Sequence, residues 1–148
     1  MRIITDTREQ LPYSFPNALR KALPAGDYSI EGLETQVAIE RKSLNDLVGT
    51  LLRGRKRFAR ELSALQEYSF AAIVIEGSIA DILSHNYKSE MAPASLLAMI
   101  CTIMQKYSPV QVVFAGDRPH AYAVVSELLR LAEGRYGNGS GNRNEQAA

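Results

Sequence analysis

The sequence predicts an α/β fold, a mixed central sheet flanked by helices in a three-layer sandwich. Three observations carry that expectation. Past an initial pair of hairpin-spaced strands, apolar runs alternate with helical stripes, as in a sheet covered on both sides. The runs at 70–75 and 110–115 are nearly continuous in apolar residues, as strands buried on both faces are. The stripes Leu44, Val48, Leu51 and Val124, Leu128, Leu131 recur at the helical period.

In chain order, 2–5 reads as a first strand ending in Asp6-Thr7-Arg8-Glu9. Three prolines make 10–24 a loop, with a helical turn at 17–22. Residues 27–30 and 36–41 are strands joined at hairpin spacing by 31–35. Ser43 is a helix N-cap with Asp46 at the third helical position, a near variant of the capping box. The stripe begun at Leu44 is resumed by Phe58, Leu62 and Leu65, with Gly54 between. A glycine inside a helix costs about 1 kcal/mol relative to alanine, so two helices are expected there. Residues 70–75 form a buried strand that ends at Glu76-Gly77. A short helix follows at 78–84, then a polar loop at 85–92. Pro93 suits the first position of a helix running to about 106. Residues 110–115 are a second buried strand and 118–133 the last helix. The segment 137–148 is poor in apolar residues and is expected to be disordered, leaving one domain at 1–136.

With 148 residues, 46% hydrophobic and 22% charged, the chain can bury a core without staples. A single cysteine, Cys101, excludes an internal disulfide; in the apolar run 96–104 it is expected to be buried and inert. No apolar stretch nears the roughly 18 residues of a membrane span, and the first residues form a strand pattern, not a signal peptide. A soluble intracellular protein is expected, in the cytoplasm or nucleoid, or in a nucleus if eukaryotic. The net charge of +1 does not advertise a nucleic-acid binder. The average conceals a concentrated patch, since five of the eight residues at 53–60 are basic.

The apolar strand Val37-Ala38-Ile39 runs into Glu40-Arg41-Lys42. Side chains alternate faces, so Glu40 and Lys42 share one face and Arg41 lies with Val37 and Ile39. Asp27 starts the neighbouring strand. Two carboxylates and an ammonium then converge, which suits a hard divalent cation and phosphodiester hydrolysis. A solvated strand end with a surface ion pair fits the same spacing. His85 and His120 have no second ligand at metal spacing, and no nucleophile elbow is present.

The wider pattern resembles the nuclease domain of the XPF family of structure-specific endonucleases. Gly26-Asp27, then Glu40-Arg41-Lys42 and Asp46, are similar to its central signature. Asp6-Thr7-Arg8-Glu9, Gly54-Arg55 with Phe58 and Leu62, Ile75-Glu76-Gly77, Pro93-Ala94-Ser95-Leu96, and the segment from Lys106-Tyr107 to Val113-Phe114 extend the likeness over 2–134. Two residues separate Arg55 from Phe58, a departure from the family's G-R-F. The resemblance implies a restriction-endonuclease-like fold and cleavage of branched, flap or fork DNA, in repair or recombination, with Mg²⁺ or Mn²⁺. It implies that Asp27 and Glu40 hold the metal, with the Arg41 carbonyl as a further ligand. Lys42 would orient water or steady the phosphate, and Asp6, Glu9 and Asp46 would complete the acidic site. A buried Arg41 needs an acid, and Glu9 or Asp46 is the expected partner.

Family members often carry a helix-hairpin-helix domain after the nuclease domain, and the Gly/Asn/Ser tail is not one. Less selective cutting, or DNA binding supplied by a protein partner, is therefore expected, unless the sequence is an excised domain of a longer chain. Arg53, Arg55, Lys56, Arg57 and Arg60 are the candidate DNA contacts, with Arg53, Arg57 and Arg60 on one helical face, all five unpaired and only Glu61 and Glu67 near enough to neutralise them locally. A solvated charged face is the plain alternative. The apolar last helix is core and, in part, a candidate homodimer surface. Two rival readings stand beside the endonuclease: a catalytically silent DNA-binding or scaffolding module, and a junction resolvase or less selective nuclease of the same fold.

Overall fold

The computed structural model of the protein describes residues 1–137, so all but Gly137 of the expected tail lies outside the described residues. Six strands, β1 (Ile3–Thr5), β2 (Leu19–Arg20), β3 (Tyr28–Ile30), β4 (Val37–Ser43), β5 (Phe70–Glu76) and β6 (Gln111–Phe114), form one sheet in the order β2-β1-β3-β4-β5-β6. The sheet is mixed: β1–β3 and β3–β4 are antiparallel, whereas β4, β5 and β6 run parallel, as do β1 and β2. Its helices are α1 (Leu44–Arg53), α2 (Arg55–Leu65), α3 (Ile79–Leu83), α4 (Pro93–Lys106) and α5 (Arg118–Tyr136).

The two-residue period of the strands sorts the core into two halves. Ala38, Ile73 and Ile75 face Leu47, Leu62 and Ile100 of α1, α2 and α4. Val37, Ile39, Ala72 and Val74 face the other way, onto Val125 and Leu129 of α5. The three-layer expectation holds, and so do the hairpin, with Tyr28 opposite Ile39, and the helix starting at Pro93.

Gly54 breaks the helix as expected, with φ −125° and ψ 28° between α1 and α2. The Ser43 side chain caps α1 by accepting from the Asp46 N–H. The full reciprocal box forms instead at Ser78 and Asp81, ahead of α3.

Several expectations are corrected. Residues 17–22 form no helical turn. Asn17 is left-handed, with φ 57°, and the chain leaves it as β2, pairing parallel with β1. Of the strand expected at 110–115 only Gln111–Phe114 forms, as an edge strand with Gln111 exposed and the rest half-buried, while Val110 ahead of it is buried. Cys101 is exposed. α4 buries Leu96 and Ile100, and the next position lies about 100° further round the helix. Among the described residues no helix is long and apolar enough to cross a membrane.

Candidate active site

β4 delivers its charges to opposite faces. Glu40 and Lys42 face α1 and α2; the Lys42 Nζ lies 3.9 Å from Glu40 Oε1, donates to Thr50 Oγ1 at 3.3 Å and sits 5.4 Å above the Phe58 ring. The hairpin brings Asp27 alongside. Its N–H donates to the Ile39 carbonyl at 2.8 Å, and its Oδ2 accepts the Arg41 N–H at 2.7 Å. Gly26 makes this approach possible. Its φ is +77°, and a Cβ there would lie 3.1 Å from the Ile39 carbonyl oxygen.

Asp27 and Glu40 open with Asp6, Arg57, Arg60 and Glu61 onto a cleft of about 510 Å³. An adjoining cleft of about 560 Å³ is lined by Glu40, Lys42, Asp46, Arg53, Arg57 and Glu61. Burial, opposed by the Arg41 N–H, pushes Asp27 up to about 7, with Glu9 adding repulsion. Burial and the nearby Asp27 push Glu40 up to about 8, against the pull of Lys42. Two half-buried carboxylates line one cleft, with the Lys42 ammonium beside Glu40.

The remaining expected site residues divide. Asp46 lines the cleft but is no partner of Arg41. Asp6 is buried and its oxygens are engaged: Arg8 Nε donates at 2.9 Å and the Leu23 N–H at 2.8 Å. Burial acts to raise its pKa, but these donors outweigh it and the pKa is lowered. Glu9 lies on the far side of β4, where Arg41 sits between Glu9, at 3.7 Å, and Glu76, at 3.4 Å. Arg41 thus finds one expected acid and one unexpected. Asp46 is excluded because its helix packs on the opposite face of the sheet.

The basic stretch is corrected too. The break at Gly54 puts Arg53 on α1 and Arg57 and Arg60 on α2, so they share clefts and not one helical face. Arg57 is not unpaired, since Glu61 lies 3.4 Å away. Arg55 and Lys56 line a separate, largely apolar groove between α2 and α4.

Sequence reasoning missed Glu76, Tyr13 and Arg118 as parts of this constellation and placed Glu61 only as a neighbour of the basic stretch. Glu61 had a signal, its position four residues after Arg57. Tyr13 and Arg118 had none, because only the tertiary fold brings them to Glu76: the Tyr13 hydroxyl donates to its Oε2 at 2.8 Å, and Arg118 Nη1 lies 3.7 Å away.

Among the described residues no group of three or more His, Cys, Asp or Glu side chains could hold a metal ion by itself. The pair Asp27 and Glu40 nevertheless fits a hard cation by donor chemistry. Both are carboxylates, and desolvation raises both pKa values, with repulsion from Glu9 adding at Asp27 and from Asp27 at Glu40. Magnesium sites commonly use one or two carboxylates and leave the other positions to water and phosphate oxygens.

Known proteins resemble this chain in sequence and in fold. The chain is 28% identical over 152 residues to the 3′-flap repair endonuclease Xpf of Saccharolobus solfataricus, covering 97% of this chain and 60% of that one. The structure of XPF from Aeropyrum pernix superposes with a TM-score of 0.66 at 25% identity, covering 89% of this chain and 61% of that one. The same protein in complex with DNA gives a TM-score of 0.65 at 26% identity, over 88% of this chain and 64% of that one. The chain thus spans less than two thirds of each of these relatives. The ERCC4 domain matches residues 6–128, most of the chain, and the protein belongs to that family, of XPF-type nucleases.

Proposed function

We propose that residues 1–136 form a nuclease domain that hydrolyses DNA phosphodiester bonds with Mg²⁺ or Mn²⁺, at flap, fork or other branched sites. The observation that carries this reading is the half-buried Asp27 and Glu40 pair lining one open cleft, with Lys42 3.9 Å from Glu40 in the cleft that adjoins it. When bound there, a divalent cation would polarise the scissile phosphate and supply a water nucleophile at neutral pH.

The chain's own residues do the rest. Asp27 and Glu40 bind the cation, with the Arg41 carbonyl as a further oxygen. Lys42, 3.9 Å from Glu40 and bonded to Thr50, orients the attacking water or donates to the phosphate as negative charge develops. Asp46 and Glu61 line the adjoining cleft, where they offset the charges of Arg53 and Arg57. Asp6 shapes one wall by holding Arg8 and the Leu23 amide, while Glu9 acts through Arg41. Arg53 and Arg60 flank the clefts and suit contacts to the DNA backbone, with Arg57 shared between DNA and Glu61. Arg55 and Lys56 would contact DNA only beyond the cleft, on the α4 side. The DNA complex of the Aeropyrum XPF supports DNA as the ligand. Two-fold association of the nuclease domain, and action inside the cell, complete the reading.

The test is cleavage of end-labelled flap, fork, duplex and single-stranded DNA in Mg²⁺, Mn²⁺ or EDTA, with wild type and Lys42→Ala side by side. Cutting that requires the metal and is lost in Lys42→Ala is expected, with flap and fork preferred. Wild-type protein that binds these DNAs but cuts none would favour the silent-module reading.

A further inference from the structure

We infer that Tyr13 and Glu76, neither of which enters the cleft, are positioning residues that set the Asp27–Glu40 pair through Arg41. The inference rests on the proposed reading of that pair as a metal site.

Arg41 is the pivot. Its side chain is only 6% exposed, and its Nε has no hydrogen-bond partner. A guanidinium normally anchors itself through a fork of short bonds to one carboxylate. Here it is wedged between Glu76 at 3.4 Å and Glu9 at 3.7 Å, with the Tyr13 ring 5.9 Å away. Its position therefore depends on where those acids are held.

Glu76 is held from two sides. The Tyr13 hydroxyl donates to Oε2 at 2.8 Å, and Arg118 Nη1 lies 3.7 Å from the same oxygen. Tyr13 is fixed in turn. Its ring stacks on Tyr28 with centroids 5.4 Å apart, and its N–H donates to the Tyr28 hydroxyl at 2.9 Å. Tyr28 is fully buried and follows Asp27 in the chain.

These contacts close a circuit. From Asp27 it passes through Tyr28, Tyr13, Glu76 and Arg41, and the Arg41 N–H returns to Asp27 Oδ2 at 2.7 Å. Glu40 and Lys42 are the chain neighbours of Arg41. A shift of Arg41 therefore moves one carboxylate by its peptide bond and the other by a hydrogen bond. Supporting groups of this kind typically change metal affinity by roughly 10–100-fold when removed.

The experiment compares wild type, Tyr13→Phe and Glu76→Gln. Mn²⁺ binding is read from the electron paramagnetic resonance of the free ion, cleavage of a flap DNA gives kcat and KM, and circular dichroism reports folding. Both folded variants are expected to bind Mn²⁺ about tenfold more weakly. At fixed Mn²⁺ their kcat falls while KM for DNA holds, and added Mn²⁺ restores part of the loss. A merely structural role would lower the melting temperature and leave the affinity of the folded protein unchanged. Mn²⁺ bound equally by wild type and folded Tyr13→Phe overturns this inference alone. Wild type that binds no Mn²⁺ overturns the metal-site reading and the inference together. Tyr13→Phe keeps the stacked ring, so it decides the matter even where Glu76→Gln does not fold.

Discussion

The main-chain N–H of Arg41 donates to Oδ2 of Asp27 across 2.7 Å, while the Arg41 side chain leaves on the opposite face of the sheet toward Glu76. One residue thus ties the acidic cleft to a buried ionic cluster behind it. β4 can do this because successive residues on a strand face opposite ways.

The carboxylate pair makes the metal-free protein sensitive to pH. Folding raises Asp27 from 3.8 to about 7 and Glu40 from 4.5 to about 8. Between the unfolded and folded values the native state binds more protons than the unfolded chain. This contribution to stability is fully present below the unfolded values and is lost as pH rises through 7 to 8. Thermal melts in EDTA should show Tm falling from pH 5 to pH 8, and Mg²⁺ or Mn²⁺ should restore it most at pH 8. A flat EDTA profile would contradict the assignment. Asp27→Asn should remove much of the slope.

Lys42→Met should lower the cleavage rate at saturating metal by about 10²–10³-fold, the usual loss for one charge-stabilising donor. The substituted chain keeps most of the contact with Phe58. It also withdraws a charge that favours ionised Asp27 and Glu40. Mn²⁺ titrations at several pH values should therefore place half-binding at a higher pH than in wild type.

DNA affinity should divide the basic residues. Arg53→Ala and Arg60→Ala should each lower the slope of log affinity against log salt by about 0.9 on duplex DNA. Arg57→Ala should lower it less, because Glu61 already faces that guanidinium at 3.4 Å. Glu61→Gln should tighten binding at low salt. Fluorescence anisotropy across a salt series reads all four, and equal slopes throughout would leave the stretch a solvated face.

Gly26→Ala tests the backbone that presents Asp27. At φ +77° a Cβ would be strained and would press within 3.1 Å of Ala38 Cβ and the Ile39 carbonyl oxygen. A stability loss of about 1–3 kcal/mol is expected. Gly32→Ala is the control. Its φ of +92° is also positive, but nothing lies within 4 Å of the added carbon, so its loss should be smaller and cleavage should survive. Urea unfolding and the flap assay measure both.

Much of this was legible because it is local. The two-residue period of β4 put Glu40 and Lys42 on one face, and Gly54 announced the helix break. The pairing of Arg41 was half legible. Its need for an acid follows from burial, but Glu76 lies on a parallel neighbour strand whose register no local pattern reveals. β2 escaped because two residues are too few to carry a period. The exposure of Cys101 escaped because an apolar helix packed on one side still presents apolar residues to water.

Arg118 opens the last helix, yet its Nη2 donates to the carbonyls of Leu11 and Pro12 at 2.9 and 3.0 Å. That clasp joins positions more than a hundred residues apart, and its loop-closure cost is met only when nearly the whole domain is in place. During synthesis the hairpin segment bearing Asp27, Glu40 and Lys42 emerges long before the helix that steadies Tyr13. The hairpin can form early from neighbouring contacts, whereas the alignment of its acids belongs among the last native contacts to form. A nascent chain stalled ahead of α5 would carry every cleft acid without the clasp that sets them.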